Sequence, residues 1–137
     1  MDWKLEVVVV PVSDVSRAIG FYRDKVGFAL DLHQTMGDSV EMAQLTPPGS
    51  GCSITVSLGM VDMEPGSVKG PQLVVPDIDA ARTQLLERGV DVSPVRHVDM
   101  GGSWEWVDGP GGRWNSFIFF DDPDGNSWVV QERPADE

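Results

Sequence analysis

One cysteine, Cys52, stands among 137 residues. A disulfide needs a second, and a cysteine-based zinc site needs more. Neither can staple this chain, which fits a reducing compartment. Long apolar runs are also missing. The longest covers 7–10, or reaches 12 if Pro11 is counted, far short of the ~20 residues a spanning helix needs. The opening stretch MDWKLEVV has no basic region ahead of an apolar core. A secretory signal is therefore not expected, and the expected location is cytoplasmic. Positive charge is scarce: 10 Lys and Arg oppose 22 Asp and Glu, a formal charge of −12. Phosphate backbones and anionic membranes require clustered cations, so neither nucleic acid nor membrane is an expected partner. The acidity serves solubility, or draws a cationic small molecule.

What the chain does have is an internal repeat. A single domain spanning 1–137 fits the length, and such a chain can bury roughly 68% of the surface its unfolded form exposes. Val12-Ser13-Asp14-Val15 is echoed by Val75-Pro76-Asp77-Ile78, each after a β-branched strand at 7–10 or 73–75. Ser13 or Asp14 in one copy and Asp77 in the other are N-cap candidates. Apolar Val15, Ala18, Ile19, Tyr22 and Val26 follow helical spacing, as do Ile78, Ala81, Leu85 and Leu86. Gly27 and Gly89 stand where a helix end favours a left-handed residue. Strands are predicted at 28–35, 39–46 and 53–58, then at 92–98, 114–120 and 127–132. The reading is two βαβββ modules, 4–59 and 70–132, joined by a linker at 60–69. Consecutive strands without intervening helices favour antiparallel pairing. The predicted fold is α+β, a curled mixed sheet around a central cup with helices on its outer face.

Two stretches carry a family resemblance. VPVSDVSRAIGFYRDKVGF (residues 10–28) and DPDGNSWVVQE (residues 122–132) resemble the vicinal oxygen chelate superfamily of glyoxalases, bleomycin resistance proteins and extradiol dioxygenases. The resemblance spans nearly the whole chain and implies the cup. It also implies four metal-ligand positions, which here read Val7, Thr55, Gly70 and Val129. Valine and glycine side chains offer no lone pair, and a threonine hydroxyl is a poor donor for zinc, manganese or iron. No metal and no cofactor are therefore expected. His33, Glu41, His97, Glu105 and Glu132 are the residues from which a displaced site would have to be built.

An apolar cup suits a small organic ligand. The family's inward position at Val129, extended by strand alternation, gives the inward set Val7, Val9, Thr55, Ser57, Gln72, Val74, Val129 and Gln131. These side chains bind a ligand or fill the interior around water. The segment 99–113 is dense in glycine and, with its flank, holds Trp104, Trp106 and Trp114. It reads as a flexible lid that stacks on a planar or cationic ligand, or as a hairpin packed on a sheet edge. His97 and Glu132 are the general-base candidates. The expected function is a metal-independent small-molecule-binding protein. The alternatives are a glyoxalase-like lyase or isomerase, with a relocated metal or acid–base chemistry, and an interaction module with a filled cup. The resemblance also implies a homodimer.

Overall fold

A computed structural model describes residues 1–137. The fold is α+β, with two mixed sheets built from βαβββ-type modules. The chain forms two compact units: Met1–Val68 with Asp122–Asn126, and Lys69–Asp121 with Ser127–Glu137. No helix is long and apolar enough to cross a membrane.

The first unit contains β1 (Val7–Pro11), α1 (Val15–Ile19), β2 (Ala29–Met36), β3 (Val40–Thr46) and β4 (Ser53–Leu58). Its sheet runs β1-β4-β3-β2, with β1 parallel to β4 and the other pairs antiparallel. Alternation sends Val10, Ile54, Val56, Ala43 and Leu45 to one buried face. Val15, Ala18 and Ile19 of α1, which packs on β3 and β4, are buried with them. Each large aliphatic so buried contributes roughly 1.5–3 kcal/mol. Asp14 caps α1, its carboxylate accepting from Arg17 N at 2.9 Å.

The apolar spacing predicts one α-helix as far as Val26. Instead, Gly20–Val26 is π-helical. Gly27 N and Phe28 N both donate to Tyr22 O, at 2.9 and 2.8 Å. The wider turn allows Phe21 and Tyr22 to be buried together, rings edge to face at 5.2 Å. Gly27 then closes the segment in the left-handed region at φ 94°.

The turn Asp122–Asn126 belongs to this unit although it joins strands of the other. The buried Asp122 carboxylate accepts from Tyr22 Oη at 2.7 Å and from Asn126 Nδ2 at 2.8 Å. It also accepts from the amides of Asp124 and Asn126, both at 2.9 Å. Asn126 Nδ2 donates to Pro11 O as well, and Val68 N donates to Asn126 Oδ1. Nearer solvent, Ser13 Oγ and N donate to Asp124 at 2.6 and 3.1 Å. Gly66, at φ +82°, approaches so closely that an added Cβ would lie 2.1 Å from Asp124 O.

The second unit contains β5 (Lys69–Val75), α2 (Ile78–Glu87), β6 (Arg96–Val98), β7 (Trp106–Asp108), β8 (Phe117–Asp121) and β9 (Ser127–Glu132). Its sheet runs β5-β9-β8-β6-β7, with β5 parallel to β9. Helix α2 packs on β8 and β9 and buries Ile78 and Leu85; Ile118 and Val130 of those strands are also buried. Asp77 caps α2 through Ala80 N at 3.0 Å.

Two expected strands are shorter than 92–98 and 114–120. Pro94 has no N–H and interrupts the first, leaving a bridge from Val92 to Phe120 and then β6. In the second, the Asn115 side chain stands in for a strand. Its Oδ1 accepts from Val98 N at 2.9 Å and its Nδ2 donates to Val98 O at 2.8 Å. The ladder between β6 and β8 is thereby confined to Arg96 and Phe117. Residues 99–113, for which a flexible lid is one expectation, supply β7, paired antiparallel with β6 in a hairpin.

Tyr22→Phe removes one hydrogen bond from a buried carboxylate and is expected to lower unfolding free energy by roughly 1.5–3 kcal/mol. Ser13→Ala, at an exposed bond, should cost about 1 kcal/mol or less. Urea denaturation measures both, and equal losses would refute the ranking. Asp124 gives a pH dependence. Burial pushes its carboxyl up, but the bonds from Ser13 and the Arg17 guanidinium at 3.1 Å outweigh this and hold it below the usual 3.8. A depressed folded pKa gives stability that is present above the unfolded value and lost as pH falls through the folded one. The stability advantage of wild type over Asp124→Asn should hold steady above about pH 5 and shrink in more acid solution. Denaturation at stepped pH checks this, and an advantage growing in acid would reverse it.

Candidate functional site

In each unit the helix covers one face of its sheet. On the other face of the first sheet, Val7 pairs with Ser53 and Val9 with Thr55. Val7 is exposed, whereas Thr55 and Ser57 are buried. Ser57 Oγ has no hydrogen-bond partner, an arrangement that costs roughly 1–3 kcal/mol for a buried hydroxyl.

In the second unit the helix-free face carries two rungs read directly from the register. One is Gln72–Val129–Phe119, the other Val74–Gln131–Phe117. Trp106 of β7 sets its indole edge-on to both phenyl rings, with centroids 5.2 Å from Phe117 and 5.0 Å from Phe119. Trp106 is 50% exposed and Val74 56%, so the cluster presents aromatic and aliphatic surface to the outside. Two amides cross it: Gln72 Nε2 donates to Gln131 Oε1 at 2.5 Å, and Gln131 Nε2 donates to Trp114 O at 2.8 Å. Arg96, paired with Phe117, forms an ion pair with Asp108 at 3.3 Å.

The residues expected to bind ligand thus separate. Val7, Val9, Thr55 and Ser57 lie in the first unit. Gln72, Val74, Trp104, Trp106, Trp114, Val129 and Gln131 lie in the second. Of the tryptophans, Trp106 lies over the rungs and Trp114 joins them through its carbonyl, while Trp104 sits in the hairpin connection, 65% exposed. Trp104 and Trp114 both adopt φ 58°. This left-handed backbone costs a residue with a Cβ roughly 1–2 kcal/mol. The sequence reading missed Phe117 and Phe119. Their two-residue alternation with Ile118 and Phe120 was the available signal.

Of the general-base candidates, Glu132 is engaged through its carboxylate and His97 through one ring nitrogen. Glu132 Oε2 accepts from Ile78 N at 2.9 Å and helps cap α2. His97 Nδ1 is 2.8 Å from Gly109 O, a carbonyl that can only accept, so Nδ1 carries the hydrogen. A cleft of about 420 Å³ opens beside His97, Asp99 and Asn115. Two of its polar groups are already paired: Asn115 holds Val98, and the Ser103 amide and hydroxyl hold the Asp99 carboxyl below its usual range. His33 Nε2 meets Glu41 Oε2 at 2.6 Å in the first unit, while Glu105 lies in the second. No three His, Cys, Asp or Glu side chains converge to hold a metal ion. The four positions implied as ligands, Val7, Thr55, Gly70 and Val129, have no donor set fit for a divalent metal.

Because Trp104 is exposed and strained, Trp104→Gly is expected to raise stability by up to about 1 kcal/mol, relief of the left-handed strain exceeding the entropy cost of glycine. Trp106→Ala should instead lower it by about 1 kcal/mol or more, through loss of two edge-to-face contacts. Thermal and urea unfolding of the two variants measure this, and a loss in both would refute the assignment of strain.

Residues 4–130 match the family model described as the glyoxalase/bleomycin resistance protein/dioxygenase superfamily. Among solved structures, the chain is similar to TnmS3, an antibiotic binding protein from Streptomyces sp. CB03234. The two share 32% identity over 96% of this chain and 97% of that one, with a TM-score of 0.75. It is also similar to a glyoxalase/bleomycin resistance protein from the same organism, at 33% identity over 93% of this chain and 99% of that one, TM-score 0.71. A superfamily member from Sphaerobacter thermophilus DSM 20745, 24% identical over 96% and 98% of the two chains with a TM-score of 0.75, shares the fold. A search of curated proteins gives no match.

Proposed function

The chain belongs to the glyoxalase/bleomycin resistance protein/dioxygenase superfamily, and within it we propose a metal-independent protein that binds and sequesters a planar small molecule. The observation that carries this reading is the cluster of Trp106, Phe117 and Phe119 beside Val74 and Val129, crossed by the Gln72–Gln131 amide pair. Small-molecule sites combine apolar and aromatic walls with a few placed polar groups, and this face has both. The likeness to an antibiotic binding protein supports a drug-like ligand. The chemistry of Val7, Thr55, Gly70 and Val129 supports a function without coordination. Glu132, whose carboxylate caps α2, gives no support to an acid–base reaction. The acidic surface favours a ligand with positive charge. The same reading takes the protein as a cytoplasmic homodimer; the exposed Val7 and Leu32 on strands of the first unit support the dimer. Sedimentation velocity tests the dimer.

Titration with 9-aminoacridine, a planar cation, is expected to quench tryptophan fluorescence saturably and to be unaffected by excess EDTA. Trp106→Ala should weaken binding by about tenfold, the value of one or two aromatic contacts. Absence of saturable quenching, or loss of binding on chelation, would refute the proposal.

A further inference from the structure

The chain of amides from Trp114 to Gln72 has a polarity that the backbone imposes. A main-chain carbonyl can only accept, so the Gln131 atom 2.8 Å from Trp114 O must be Nε2. Gln131 Oε1 is thereby turned toward Gln72 and needs a hydrogen, so the Gln72 atom 2.5 Å from it must be Nε2. Each step excludes the flipped amide, which would set two acceptors or two donors face to face. Gln72 Oε1 is left unpaired on an exposed residue, on the same rung as Val129 and Phe119. A free glutamine could present either end of its amide to a ligand. This one cannot without breaking the bond to Gln131.

We infer that Gln72 is a specificity-determining residue, whose Oε1 selects planar ligands that present an N–H or O–H donor at the ring edge, with Gln131 as the positioning residue. The inference rests on the small-molecule reading above. A ligand with a donor meets a carbonyl oxygen with both lone pairs available. A ligand with only an acceptor is left with the second hydrogen of a nitrogen already engaged by Gln131. The strained backbone at Trp114 fits this role, because it supplies the carbonyl from which the polarity propagates.

The test uses 1-hydroxypyrene and 1-methoxypyrene, neutral planar probes that differ in one donor hydrogen, titrated into the full chain by tryptophan quenching. The hydroxyl compound is expected to bind about three- to tenfold tighter, the range of one net hydrogen bond. The preference should fall to about unity in Gln72→Met. In Gln131→Met, which frees the Gln72 amide to turn, the ratio should also fall. A merely structural role for Gln131 would weaken both probes together and leave their ratio intact. Equal wild-type affinities, or a preference that survives Gln72→Met, would overturn the inference and leave the binding function standing. Failure of both probes to bind where 9-aminoacridine binds would overturn the inference alone, and failure of all three would overturn the binding function with it.

Discussion

The first unit is organised around one buried carboxylate. Taking an ionised Asp122 out of water costs several kcal/mol unless its lone pairs are satisfied. No cation neutralises it among its hydrogen-bonding partners, which are the Tyr22 hydroxyl, the Asn126 side-chain amide and two turn amides. Each bond to a charged group is worth roughly 1.5–3 kcal/mol, and together they must outweigh the desolvation. That requirement fixes several other features. Tyr22 must point inward, which the π-helical turn permits beside Phe21. Asn126 must bridge Pro11 O and Asp122 with one nitrogen. Position 66 must be glycine, because a Cβ there would collide with Asp124 O.

This arrangement explains why two sequence motifs carry the family resemblance yet say little about activity. The stretch around Phe21-Tyr22 and the turn Asp122–Asn126 are the two sides of the same hydrogen-bond network. Ser13, from the other recognisable element, bonds to Asp124 in that turn. The turn and the first stretch therefore build the first unit. The face proposed to bind ligand takes Val129 and Gln131 from the strand end of the second stretch and nothing from the turn or the first stretch. Fold and function are thus written largely in different residues, as expected when sites are grafted on a common framework.

The repeat was legible for a similar reason. Caps at Asp14 and Asp77, left-handed glycines, and strand alternation are local signals, and the two final strands, Ser53–Leu58 and Ser127–Glu132, appear with the bounds that alternation predicts. The misses come from interactions that are distant in sequence or depend on side-chain mimicry. Asn115 occupies the hydrogen-bonding groups of Val98 that a strand would otherwise pair. Pro94 removes a donor in the middle of a good β pattern. For the glycine-rich segment with tryptophans, where the sequence leaves a lid and a hairpin both open, the structure has the hairpin, with Trp106 packed against Phe117 and Phe119. Glu132, a carboxylate at a strand end in the sequence, reaches the start of α2, where a negative charge meets unpaired amides. The implied ligand positions Val7, Thr55, Gly70 and Val129 come from the resemblance alone. Their register could be read only from the ladder: Val9 faces Thr55 in one sheet as Gln72 faces Val129 in the other.

The charge of the chain and the polarity of the proposed site act over different ranges. A net −12 creates a field that concentrates cations near the surface, but at physiological salt it decays over about 8 Å. It cannot by itself orient a ligand on a particular face. At the Phe117 rung of the second sheet the charged groups, Arg96 and Asp108, pair with each other and largely cancel. The groups left to discriminate at contact there are neutral amides and aromatic edges, whose energies depend on direction rather than on salt. Raising ionic strength should then slow capture of a cationic ligand more than it hastens release, since steering acts on encounter and the amides on residence. A ligand selected chiefly by charge would show the opposite division.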